Sequence, residues 1–298
     1  MLVGAREGNE LVRGRVGLVC AVLLLGVVAA ACVPDLPPPP PQYELLNVVN
    51  EYRTASQLPT VVENRSWSFD AIKHARYMVY TGVLGHSEDP ASPYYTPEGN
   101  AAATQSNAVG SSDPHVSDRS FVDFWMASPF HAVGILDPRL TAVGYGAYRD
   151  ASAPIHAAAA LNILSGLTGS TSRDVITFPG NGATVGLTSS GHEWPSPLTG
   201  CPGFGTSAGL PLIVQFPSPE ALVNATLTRQ AVGDLELCRF DGTSYTNPDP
   251  AAQDVGRITL SIRNAAILIP RAPLVRGATY IVTVTTSVRT FSWSFSVR

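Results

Sequence analysis

The chain has 298 residues, a formal net charge of -4 and only 14% charged residues, and Lys73 is its single lysine. A chain so poor in cations has no basic stripe to displace counterions from a phosphate backbone, which argues against nucleic acid as a partner. Its length leaves room for two domains of ordinary size.

At the N-terminus, Arg6, Arg13 and Arg15 lead into an uninterrupted apolar run from Gly17 to Ala31. The run falls short of the ~20 residues a membrane-spanning helix needs and suits the core of a signal peptide. Residues 1–31 therefore read as an export signal, and the folded part is expected outside the cytoplasm, in the extracellular space or cell envelope. Ala29, Ala30 and Ala31 satisfy the small-x-small rule of ordinary signal cleavage. Followed by Cys32, they also resemble a bacterial lipobox, although lipoboxes favour Leu where Ala29 stands. Cys32 is thus either lipidated, tying the protein to a membrane, or left at the start of a freely secreted chain, with an uncleaved leader serving as a membrane anchor as the third alternative. From Val33 to Gln42 the sequence V-P-D-L-P-P-P-P-P-Q favours an extended, semi-rigid spacer, so residues 32–42 read as a linker. Cys20 leaves with the signal. Cys201 and Cys238 remain as an isolated pair, which in an oxidising compartment reads as a disulfide. Neither has a second Cys or His at the spacing of a zinc ribbon.

An amphipathic helix is expected over residues 43–56, with Leu45, Leu46, Val49 and Tyr52 on one face. Ser68 is placed to cap a second helix carrying Phe69, Ile72, Ala75, Val79 and Val83, ended by Gly82 and Gly85. Residues 86–114 are too rich in Gly, Pro, Ser and Asn to be regular throughout. A third helix runs from near Ser117 through Phe121, Phe124 and Trp125 and stops before Pro129. Strands follow at 141–149, 155–164 and 174–178. Helices first and strands later give an α+β arrangement for residues 43–180. Beyond Pro179 helical periodicity fades and seven short strands are expected, at 212–216, 222–228, 234–240, 257–263, 266–269, 279–285 and 289–297. Tyr280, Val282 and Val284 alternate cleanly, as do Phe291, Trp293 and Phe295. Residues 190–298 therefore read as an antiparallel β-sandwich.

Three titratable residues sit beside Gly or Pro, where the backbone is fixed: His86, Glu98 and His131. Two imidazoles and a carboxylate form a reasonable ligand set for zinc, with a coordination position left open. Their wide spacing is not a local motif, and on spacing alone the histidines read better as surface or capping groups than as metal ligands. Elsewhere, Gly205–Gly209 matches G-x-S-x-G, but a Gly- and Pro-rich loop precedes it and a strand follows, so it lacks the setting of a nucleophile elbow. His192-Glu193 begins like a zinc-protease motif, but Pro195 breaks any helix and the segment reads as a loop. His74 reads as a helix-surface or packing residue, and His115 and His156 as structural.

Several segments, in order, resemble the CAP superfamily of cysteine-rich secretory, antigen 5 and pathogenesis-related 1 proteins, in its bacterial branch. They are L-L-N-V-V-N-E-Y-R (45–53), G-H-S-E (85–88), P-E-G-N (97–100), W-M-A-S-P-F-H (125–131) and V-G-Y-G (143–146). The resemblance spans about residues 43–180 and implies an α-β-α sandwich with a large cleft lined by His86, Glu98 and His131. Many members carry two His and two Glu there and bind zinc or another divalent cation. The second Glu of that set has no counterpart here: Ser128 stands in its place, with Asp123 and Glu88 as possible substitutes. The stretch P-R-A-P-L-V-R-G-A-T-Y-I-V-T-V (270–284), followed by W-S-F-S-V (293–297), resembles bacterial Ig-like domains. The resemblances imply a binding protein for a small hydrophobic or envelope-derived ligand, with a divalent cation in the cleft. Two alternatives stand beside it: a hydrolase of peptides or glycans using Glu98 or a zinc-bound water, and an adhesive or structural envelope protein.

Overall fold

Asn64 starts the first long helix. Its side chain accepts from Ser66 N and Trp67 N, which caps the helix four residues earlier than Ser68 would. The computed structural model describes residues 43–298. The expected export signal, Cys20, Cys32 and the proline-rich segment lie outside the described residues. Among the described residues no helix is long and apolar enough to cross a membrane.

The first half comprises α1 (Tyr43–Ala55), β1 (Val62–Glu63), α2 (Arg65–Thr81), α3 (Pro97–Ala103), β2 (Ser106–Ser111), α4 (Asp118–Ala127), α5 (Pro129–Ile135), β3 (Ala142–Arg149) and β4 (Ala157–Asn162). Ser68 lies inside α2, where its hydroxyl donates to Glu63 and accepts from Tyr145 N, tying helix to sheet. Gly82 ends α2 as expected, at a φ of 73° that favours glycine. Ser117 caps α4 by accepting from Ser120 N. Pro129 not only stops α4 but opens α5, where a missing N–H is harmless.

The four strands lie in the order β1-β3-β4-β2, with β1 parallel to β3 and the other pairs antiparallel. Strand β4 is built of small residues that alternate between two cores. Ala158 and Ala160 pack with Ala71, Ala75 and Met78 of α2. Ala157, Ala159 and Leu161 face the other way, with Val49, Trp125 and Val133 from α1, α4 and α5. Helices therefore cover both faces of the sheet, the α-β-α layering expected. The α2 side is close-packed: a Cβ on Gly146 would fall 2.1 Å from Ile72 N.

The second half begins at β5 (Ile176–Phe178) and β6 (Thr184–Val185) and continues with β7 (Leu212–Gln215), β8 (Leu222–Arg229), β9 (Gly233–Leu235) and β10 (Leu237–Asp241). It ends with α6 (Pro250–Ser261), β11 (Ala265–Pro270), β12 (Thr279–Thr286) and β13 (Thr290–Val297). One sheet runs β10-β11-β7-β5, all antiparallel, and the other runs β6-β13-β12-β8-β9, antiparallel except for β6 against β13. Leu212, Val214, Ala266 and Leu268, which the register sets on one face of the first sheet, share one core with Leu227, Val282, Val284 and Phe295 from the second, which makes the β-sandwich. That same core continues into Trp125, Val133 and Ile135 of the first half.

Two expectations are corrected. The strand expected at 257–263 is the end of helix α6. The period-two run R-I-T-L-S-I-R suggested a strand, yet Asp249 caps the helix by accepting from Ala251 N and Pro250 occupies its first turn. Ala252, Gly256 and Leu260, four residues apart, form its buried stripe. The strand expected to close the first half, β5, instead pairs with β7 in the sandwich. The disulfide Cys201–Cys238 is formed and ties the loop after β6 to β10.

Candidate functional site

Helix α5 carries His131 in its first turn, and its position is set by Arg53. This guanidinium is fully buried and donates to the carbonyls of Ile135, the last residue of α5, and of Asp137 and Leu140 beyond it, as well as to Pro59 O. Burial pulls its pKa down to about 10, still well above neutrality. From the other side, Phe130 packs its ring edge-on against Tyr245 at 5.1 Å, and Gln215 Nε2 donates to Val133 O. The short helix is thus clamped between α1 and the sandwich.

A carboxylate from the second half completes this arrangement. Glu193 has a fully buried side chain and accepts from Phe130 N at 3.0 Å, His131 N at 3.2 Å and His131 Nδ1 at 2.6 Å. The loop that carries it is held by Gly191 N donating to Ala127 O, by Tyr245 Oη donating to Ser196 O, and by the disulfide at Cys201. It passes directly over Ser128, so that a Cβ on Gly191 would lie 2.5 Å from Ser128 Oγ. A carboxylate therefore reaches the start of α5 from a distant segment, beside Ser128. With Nδ1 held against Glu193, the Nε2 edge of His131 is the one left for the cleft.

His131 and His86 line one cleft of about 270 Å³, together with Asn107, Ile163, Trp194 and Arg263. The His86 ring is close enough to His131 for their charges to interact. Desolvation by the surrounding protein, and then the charge of His131, lower its pKa, and the nearby carbonyls of Ala103 and Ser106 oppose them. Its Nδ1 sits 3.3 Å from Ala103 O.

The third residue of the expected set lies elsewhere. Glu98 stands in the first turn of α3, half exposed, 3.3 Å from Lys73 Nζ, and does not line the cleft. A backbone hydrogen bond at its own position, and then Lys73, hold its carboxyl below the usual range. Neither proposed substitute reaches the cleft. Asp123 accepts from Tyr52 Oη at 2.6 Å. Glu88 is sealed against His74, whose Nδ1 lies 3.0 Å from Glu88 Oε1, with both side chains fully buried. Among the described residues, no group of three or more His, Cys, Asp or Glu is placed to hold a metal ion. His86 is turned toward backbone carbonyls and Glu98 toward a lysine, so this donor set does not fit zinc. His131, oriented by a carboxylate, is arranged as a general base, but no hydroxyl or thiol among the described residues is hydrogen bonded to its ring.

Sequence reasoning missed Glu193, read as a plain loop residue, and Arg263, read as part of a strand. Nothing local marks either one: Glu193 meets a partner 62 residues away. His192 beside it is exposed.

A sheet covered on both faces by helices, with a histidine-lined cleft at its edge, defines the class of fold. The model of the cysteine-rich secretory protein family, CAP, matches residues 46–155, and the chain carries a CAP domain there. Both cleft histidines fall inside that match, whereas Glu193, Trp194 and Arg263 fall after it. No curated protein matches the chain.

Proposed function

We propose that this is an exported binding protein, held at a membrane by a lipid on Cys32, whose CAP domain binds a small hydrophobic ligand in the cleft between α5 and α6. The observation that supports this is the make-up of the cleft mouth, where Leu164, Trp194, Val255 and Ile262 are all exposed. Large apolar side chains gathered around one concavity mark a ligand or partner site more often than chance surface. Nothing in this reading requires a cation. The C-terminal half acts in it as one wall of the site rather than as a spacer.

Binding of the neutral dye N-phenyl-1-naphthylamine tests the reading. The native protein is expected to enhance its fluorescence saturably, and Leu164→Asp with Val255→Asp to abolish the effect without changing the circular dichroism. Both positions are exposed, so the fold should tolerate the change. An unaltered response in the double variant would overturn the reading. Fractionation tests the anchor: Cys32→Ala should move the protein from the membrane fraction to the medium, and retention in the membrane would refute lipidation.

A further inference from the structure

The cleft holds one charge that an apolar ligand would leave unused. Arg263, at the end of α6, is only 7% exposed and lines the cleft. Its Nη1 donates to Thr259 O at 3.1 Å. Its Nε lies 3.2 Å from Asp137 Oδ2 but makes no hydrogen bond. Asp137 is already occupied: Arg139 clamps it with Nε on Oδ1 at 2.9 Å and Nη2 on Oδ2 at 2.7 Å. Two guanidiniums thus share one carboxylate, and the fully buried guanidinium of Arg53 lies beside it, donating to Asp137 O, so positive charge is in excess here. A charge in excess, largely withdrawn from water, is costly unless something pairs with it.

The free corner of Arg263 points to where that partner would sit. A Cβ built on Gly134, on the cleft wall, would lie 3.8 Å from Arg263 Nη2. No Asp or Glu lines the cleft. Glu193 is nearby but has no exposed surface, and three N–H groups already donate to it. Around the mouth the surface is apolar. Val255, Ile258 and Ile262 follow one another at helical spacing along α6, and Leu164 and Trp194 stand with Val255 and Ile262 at the opening, each at least 40% exposed.

We propose that the cleft selects an anionic amphiphile, a single apolar chain ending in a carboxylate, with Arg263 as the counter-charge that reads its head. The proposal rests on the cleft being an apolar ligand site. With Nη1 on Thr259 O and Nε against Asp137, Arg263 has a single corner left to offer, which suits a small monoanionic head better than a dianion. A cavity of about 270 Å³ is at the lower edge of the ~300–1,000 Å³ usual for small-molecule sites, which favours one chain over two. The rest of the chain would lie along the exposed face of α6. Because Arg263 belongs to the C-terminal half, that half would set the choice of ligand for the CAP domain.

The test is calorimetric titration of the full chain with decanoate, decanol and decylamine, all below their aggregation limits. Decanoate is expected to bind about tenfold or more tightly than decanol, the scale of a charge-assisted hydrogen bond, and decylamine more weakly than either. Arg263→Met should bring decanoate down to the level of decanol while leaving decanol unchanged, and Arg263→Lys should restore part of the preference. If Arg263→Met fails to fold, the three head groups on the native protein decide alone. Equal binding of decanoate and decanol, or a preference that survives Arg263→Met, would overturn the selection by charge and leave the apolar cleft standing. Failure of all three to bind would overturn both.

Discussion

Two histidine–carboxylate pairs lie in this molecule, and they share a chemistry but not a setting. His74 and Glu88 both belong to the CAP segment and neither side chain is exposed. Every polar atom there has an internal partner: His74 Nε2 meets Gly85 O, and Glu88 Oε2 accepts from Thr96 N. His131 and Glu193 join the CAP segment to the C-terminal half, and His131 keeps 12% of its side chain exposed at the cleft. The first pair closes a loop onto a helix. The second turns an imidazole toward a cavity and welds two halves of the chain into one site. Identity of the residues does not separate these roles; the destination of the second ring nitrogen does.

The sharpest break of this comparison is Glu88→Ala. It leaves a buried imidazole and the Thr96 N–H without their acceptor, and removing one member of a buried pair costs about 3–5 kcal/mol. A large fall in the urea midpoint is expected, with dye binding per folded molecule unchanged. A midpoint close to that of the native protein would show that the pair is not structural. Glu193→Ala comes next. It strips the acceptor from Phe130 N, His131 N and His131 Nδ1, yet His131 still meets solvent, so a loss of about 1–3 kcal/mol is expected. Ligand binding should weaken as well, because the ring is released and the loop bearing Trp194 loses one of its attachments. Glu193→Gln should recover most of the stability, since its amide oxygen can accept from one or two of the same donors. If dye binding by Glu193→Ala matched that of the native protein, the second pair would be as purely structural as the first.

Much of the CAP half was legible because its signals are local. The apolar stripe of α1, the Ser117 cap, the glycine that ends α2 and the small residues of β3 and β4 each act within a few residues of themselves. His86 and His131 were legible for the same reason, as parts of short segments. Glu193 and Arg263 were not, because their roles exist only after distant segments meet. Arg263 was further hidden by a conflict of signals: R-I-T-L-S-I-R alternates like a strand, while Asp249-Pro250 upstream starts a helix. The helix prevails because capping and the Ala252–Gly256–Leu260 stripe act together, and Gly256 admits Tyr245, whose Cε1 would lie 2.4 Å from a Cβ there. Glu98 misled in the opposite direction. Its segment is family-like, but the single lysine of the chain draws the carboxylate outward.

The smallest effect expected concerns His86, which belongs to neither pair. Desolvation, then the charges of His131 and His74, lower its folded-state pKa below the ordinary 6.5, while the carbonyls of Ala103 and Ser106 pull the other way. An unfolded chain takes up the proton near pH 6.5 and the folded chain resists it to lower pH. The unfolded state then binds more protons in that window, so His86 costs the fold stability as pH falls below about 6.5. The ring also has an open edge to solvent, which tempers the effect. Urea midpoints of the native protein and His86→Gln, compared between pH 7.5 and pH 5.5, isolate it. Both histidine–carboxylate pairs are present in both proteins, so the difference reports His86 together with its coupling to His131 and His74. The variant should lose slightly less stability on acidification. An equal or greater loss would mean that His86 takes its proton as readily folded as unfolded, and that the cleft wall beside it is wetter than the lowered pKa implies.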